Sequence, residues 1–214
     1  MGANDDGRIG DGTTMQRTSP VAVLGVVGAT ALVLGHRHAC VILGDRTVRC
    51  WGNNSAGQLG DGTMTNRSTP VAVAGLSDVV ELSLGNSHSC ARLMDGTARC
   101  WGRNGSGELG DGTMANSPTP VAVNGLTDVA QIAVGDYHTC ARTSPGGAVY
   151  CWGANGMGQL GDGTGRNRLV PTRVSGLAAA TGIALAAGKS CAILSGGELW
   201  CWGRFPGTPT LALP

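Results

Sequence analysis

Hydrophobic and polar positions alternate in this chain over short stretches only. From Val79 to Leu84 the sequence reads VVELSL, close to a period of two, the mark of a half-buried strand. Gly85 interrupts it, HSCARL follows from His88, Met94-Asp95-Gly96 interrupts again, and TARCWG completes the run. Short stretches of this kind, bounded by glycine and Asp-Gly pairs, predict strands joined by tight turns. No segment holds a 3.6-residue period long enough to predict a helix. The expected class is all-β.

The pattern then recurs. The tryptophans of four Cys-Trp-Gly triplets are Trp51, Trp101, Trp152 and Trp202, and a period of about 50 residues belongs to propeller or array repeats. The motif GDGT begins at Gly10, Gly60, Gly110 and Gly161, and prolines recur at Pro20, Pro70, Pro120 and Pro171. Four copies follow, at 1–51, 52–101, 102–152 and 153–203, with 204–214 left as a tail outside the pattern. Met1 stands where later copies carry the triplet tryptophan, which suggests a segment cut at a repeat boundary from a longer protein. In such an array each unit buries its apolar face against its neighbours, so core size follows repeat number.

Composition narrows the function. Glycine contributes 37 of 214 residues, far above the usual ~7%, as a turn-rich fold requires. The formal net charge is +1 and Lys189 is the only lysine, so the clustered basic face expected of a nucleic-acid binder is missing. No apolar run reaches the ~18 residues of a membrane span, and MGANDDGRIG has neither the basic nor the apolar region of a signal peptide.

The eight cysteines fall in pairs, Cys40/Cys50, Cys90/Cys100, Cys140/Cys151 and Cys191/Cys201. If Cys90 faces Cys100 across a hairpin, Leu93 falls opposite Thr97 and Met94-Asp95-Gly96 becomes a three-residue loop, a common hairpin length. The first and fourth copies obey the same register, with Gly44-Asp45-Arg46 and Ser195-Gly196-Gly197 at the tip. The extra residue of the third copy falls in the turn SPGG (Ser144 to Gly147), which leaves Cys140 facing Cys151. Zinc ligands usually stand two to four residues apart and do not match this interval. Cross-strand disulfides are the favoured reading and buried free thiols the alternative. Regular disulfides imply an oxidising compartment, hence a secreted, periplasmic or cell-surface protein whose signal peptide lies outside this chain.

The combined pattern, G-x-x-H-S/T-C-A-R through D-G-x-x-x-C-W-G-x-N-x-x-G-x-L-G-D-G-T to P-x-x-V, resembles the repeat of the regulator of chromosome condensation family over Gly2 to Gly203. The resemblance implies a β-propeller built of four-stranded blades, commonly seven. Four copies here favour an open arc of a larger propeller, with a closed four-bladed ring as the alternative. An open arc leaves two blade faces unpaired, a route to self-association that completes a ring. The cysteines depart from the many members that carry leucine and serine there, which suggests an exported version. Members that exchange guanine nucleotides push a long blade insertion into their GTPase partner; this chain has none.

His38, His88 and His138 could ring a metal at the axis, but Lys189 takes the fourth place, so they are read as satisfying buried polar groups. Asp61, Asp111 and Asp162 of GDGT lack the spacing of a calcium loop and are read as structural, bonding the amides of their own turns. The triplet tryptophans are read as repeated core between blades, and Trp200, Tyr137 and Tyr150 as off-pattern contact candidates. No catalytic set, metal site or cofactor emerges, nor a G-x-S-x-G elbow. The expected function is a non-enzymatic scaffold binding another protein through non-repeating residues, with Met64, Arg67, Met114, Met157, Arg166 and Tyr137 as candidates. The resemblance also implies a second function, inhibition of a secreted enzyme such as a β-lactamase, and a third, nucleotide exchange on a small GTPase. An aromatic content of 4% weighs against the inhibitor reading.

Overall fold

The computed structural model of the chain describes residues 4–204. They form fifteen antiparallel strands in four sheets, with no helix among the described residues. The first sheet holds β1 (Ala29–Leu34), β2 (His38–Leu43), β3 (Val48–Gly52) and β4 (Arg67–Ala72) in sequence order. The second repeats it with β5 (Val79–Leu84), β6 (His88–Leu93), β7 (Ala98–Gly102) and β8 (Ser117–Ala122), and the third with β9 (Val129–Val134), β10 (His138–Thr143), β11 (Val149–Gly153) and β12 (Arg168–Arg173). The fourth has three strands, β13 (Ala180–Ala186), β14 (Lys189–Leu194) and β15 (Leu199–Gly203).

The hairpin register predicted from the cysteines is the observed one. Cys40, Cys90, Cys140 and Cys191 sit directly opposite Cys50, Cys100, Cys151 and Cys201, and all four pairs are disulfides with Cα atoms 4.1 Å apart. The amide of Leu93 donates to the carbonyl of Thr97, and in the third copy Thr143 donates to Ala148, so the extra residue is absorbed by the turn.

First strands lie innermost. β5 packs against both β1 and β9, and β9 against β13, and the turns that follow them, at Gly35, Gly85, Gly135 and Ala187, border one opening at the axis. Between successive sheets lie three apolar layers of matching composition. In the first, Val48 and Ile42 of one sheet meet Val79, Leu82 and Trp101 of the next, with Leu59 and Leu76 from the connecting chain. The other two layers repeat this around Trp152 and around Leu160 and Ile183.

The sequence period and the sheet are out of phase. A stretch from one Cys-Trp-Gly to the next carries the fourth strand of one sheet and the first three of its successor, so every repeat covalently links two leaves. The stack does not close on itself. It is an open arc, with Leu32 and Leu34 of β1 exposed at one end and Ile193 and Leu199 at the other.

Glycine is obligatory where the connecting chain passes a tryptophan. Gly110 has φ +69, and a Cβ there would stand 2.7 Å from the Trp152 indole nitrogen. Both the left-handed backbone and the close approach exclude a side chain.

Candidate functional site

Each third strand ends at the same rim, and the segment that follows is folded by its own polar side chains. Asn54 is buried; its Nδ2 donates to the carbonyls of Thr63 and Thr65 and to the Asp61 carboxylate, while its Oδ1 accepts the amide of Leu59. Asn104 and Asn155 repeat most of this set. Asp61, Asp111 and Asp162 accept from the amide and hydroxyl of the threonine two residues on. Arg67 and Arg168 add a guanidinium to Asp61 and Asp162, at 2.9 and 2.7 Å; Ser117 occupies the corresponding place beside Asp111. Burial alone would raise the Asp162 carboxyl. The Thr164 hydroxyl, then the Arg168 guanidinium and the Thr164 amide, outweigh it and bring the pKa to about 2.

Beneath this rim, successive blades are joined by a buried relay. Ser89 donates its hydroxyl proton to the carbonyl of Gln58, so the same oxygen accepts from His38 Nε2, at 2.8 Å. A hydroxyl has a single proton, and this fixes the His38 tautomer. His88 reaches Thr139 and the Glu108 carbonyl, and His138 reaches Ser190 and the Gln159 carbonyl, in the same way. The same carbonyls accept the indole N–H of Trp101, Trp152 and Trp202. Burial lowers the imidazole pKa values to about 4, 3 and 4 for His38, His88 and His138. No three His, Cys, Asp or Glu side chains come together as a metal site among the described residues.

The connecting loops and the turns after the first strands emerge on one face, because both follow strand ends of the same polarity. Met64, Met114, Met157 and Tyr137 all project there, exposed, and Arg166 joins them. Arg67 belongs to the frame through its pairing with Asp61. Met94, also exposed, lies on the opposite face beside Arg46. Trp200 is exposed at the open end, and Tyr150 is half-buried against the second apolar layer.

One part of this face is unique to a single copy. Where the other segments place Gln58 and Gln159, the second places Glu108, fully buried and raised in pKa chiefly by that burial. Arg103 stands where the first segment has Asn53; its Nε is 3.4 Å from Glu108, and its guanidinium lies 5.2 Å from the centre of the Tyr137 ring. Asn86 donates to the Tyr137 hydroxyl. Tyr137 stands out in the sequence, whereas Glu108, Arg103 and the Ser/Thr relay come together only in the fold. The signal for the relay was the in-phase His-Ser/Thr-Cys triplet, and that for the cluster was the joint change of Asn53 and Gln58 to Arg103 and Glu108.

A stack of antiparallel leaves with innermost first strands and loops gathered on one face is a β-propeller arc. The model described as the Regulator of chromosome condensation (RCC1) repeat matches residues 47–92, 95–142 and 146–193, and the chain belongs to that family. A second RCC1-repeat model matches 29–58, 79–108 and 129–159. A curated relative, the mitochondrial RCC1 domain-containing protein RUG3 of Arabidopsis thaliana, is 47% identical over 60 residues, 27% of this chain and 14% of that protein. Among solved structures, human WBSCR16 superposes with a TM-score of 0.78 at 21% identity, covering 95% of this chain and 56% of that one. Yeast RCC1 (Prp20) bound to Kap60 gives 0.74 at 23% identity, covering 87% and 45%. The chain therefore spans about half the length of these solved relatives, and both likenesses establish the fold.

Proposed function

We propose that this chain is a non-enzymatic protein-recognition scaffold of an oxidising compartment, secreted, periplasmic or at the cell surface. The observation that carries the reading is the alignment of Met64, Met114, Met157, Arg166 and Tyr137 on one face of a frame whose repeated polar groups are turned to its own loops. Thioether and aromatic side chains on a rigid support suit an apolar protein surface. Four disulfides support the compartment. A protein partner is further supported by yeast Prp20, of the same fold, whose structure holds Kap60.

The test is a photo-crosslinking side chain placed at Met64, at Met114 or at Met94, each variant exposed to the native envelope and secreted fractions. Discrete adducts are expected from Met64 and Met114 and none of the same mass from Met94. Adducts from Met94 alone, or equally from all three positions, overturn the assignment of the face.

A further inference from the structure

The frame asks one thing of the side chain at Gln58, Glu108 and Gln159. Each accepts, through one oxygen, the amide two residues before it: Ala56, Ser106 and Met157, at 2.9, 2.7 and 2.9 Å. A glutamine does this beside Asn53 in the first segment and beside Ala154 in the third. The loop therefore folds without a carboxylate and without an arginine.

In the second segment Glu108 is nonetheless a fully buried carboxyl group. Its other oxygen, Oε1, has no hydrogen-bond partner and lies 3.4 Å from Arg103 Nε, beyond the length of a full hydrogen bond. A buried carboxyl with one oxygen unsatisfied costs stability that a glutamine would not. An ion pair whose arginine is 48% exposed contributes too little to offset that cost. The second copy alone carries this arrangement, and stability does not account for it.

What the exchange adds is a guanidinium fixed on the loop face. Its carbon stands 5.2 Å from the centre of the Tyr137 ring, within reach of a cation–π contact, and the hydroxyl of that ring is held by Asn86. Glu108 takes the Nε side. Arginine has five N–H donors, and those of Nη1 and Nη2 bond none of the described residues. Where the first segment has Ser55 the second has Gly105; a Cβ there would stand 3.8 Å from Nη2, so its absence leaves the approach to that nitrogen open.

We propose that Arg103 is the specificity-determining residue of the loop face and takes an acidic side chain, aspartate or glutamate, of a protein partner between its Nη1 and Nη2 donors. The planar guanidinium matches the two oxygens of a carboxylate, and such paired, charge-assisted hydrogen bonds are the strong ones. Glu108 and Tyr137 are positioning residues: they hold the guanidinium in place before the partner arrives, which lowers the cost of ordering it on binding. The inference rests on the reading of this face as a protein-recognition surface. Its four residues, Asn86, Arg103, Glu108 and Tyr137, all lie between the second and third sheets.

The side-chain N–H signals of Arg103, followed by NMR on the 214-residue chain, give the first measurement. Sodium acetate should shift them at about tenfold lower concentration than those of Arg166, exposed on the same face, the difference that one added charge-assisted hydrogen bond makes. Acetamide, neutral and of similar shape, should leave them unmoved. The second measurement repeats the photo-crosslinking at Met114 in a chain that also carries Arg103→Asn and Glu108→Gln. Both replacements copy the Asn53 and Gln58 pair of the first segment, so this variant folds with a pairing the frame already uses, and it assigns the Arg103 signals by their loss. The adduct of the parent chain should disappear. No adduct from the parent chain overturns the reading of the face and this proposal with it. Equal adducts from parent and variant, Arg103 signals that follow acetamide, or signals that move no earlier than those of Arg166 overturn this proposal alone.

Discussion

Protonating His88 would charge a ring whose Nε2 is committed to Thr139 and whose Nδ1 meets no hydrogen-bond partner in a fully buried site. His38 and His138 share that arrangement. Their ordinary pKa is 6.5 and their folded values are about 4, 3 and 4. As pH falls below 6.5 the unfolded chain therefore takes up protons first, and stability declines until the native imidazoles titrate near 4 and below. Each histidine contributes at most on the order of 3 to 5 kcal/mol to this loss. Asp61 and Asp162, held below their usual range by their threonines and arginines, act in the same direction, but only as pH falls below 3.8. Melting temperature followed against pH should be level above 7 and fall from about 6.5 downward, and His88→Gln should flatten the slope. A melting temperature unchanged between pH 7 and 5 would contradict this account of the relay.

At the scale of the element, the hairpin formed by the second and third strands is the unit that repeats most faithfully. Its disulfide links residues that antiparallel pairing already places opposite each other, so the bond acts chiefly on the unfolded chain by closing a loop of about ten residues, worth about 2.7 kcal/mol in the chain-entropy account. Cys90→Ser with Cys100→Ser should lower the denaturant midpoint by roughly that energy and leave the native fold intact. Equal stability of the paired variant and the parent chain would show that the strand pairing alone holds the leaf. The one-residue insertion of the third copy is absorbed at the hairpin tip, Ser144 to Gly147, and leaves the strand pairing intact.

For the whole molecule, stability is a sum over leaves and the layers between them. The second and third sheets have neighbours on both faces; the first and fourth each have one. Amide exchange in a dilute sample should therefore be slowest in β6 and β10 and faster in β15. Exchange in β15 as slow as in β6 would contradict this account of the layers.

Much of this was legible in the sequence because the repeat supplies its own alignment. The period of the triplets and GDGT motifs gave the four units, the two-residue alternation gave the strands, and the one-residue insertion between Cys140 and Cys151 located the turn. These are local properties, fixed by spacing along the chain. Met64 and Met114 recur in phase directly after GDGT and Tyr137 is off that beat, all visible in the sequence; the pairing of Glu108 with Arg103 was not, since its setting depends on a ring supplied by Tyr137 from the next blade. Only the tertiary structure could show that each histidine bonds a hydroxyl some fifty residues away, or that a repeat carries one sheet's last strand and the next sheet's first three. Sequence spacing determines which residues are equivalent; stacking determines which equivalent residues touch, and at the two open ends it leaves them facing solvent.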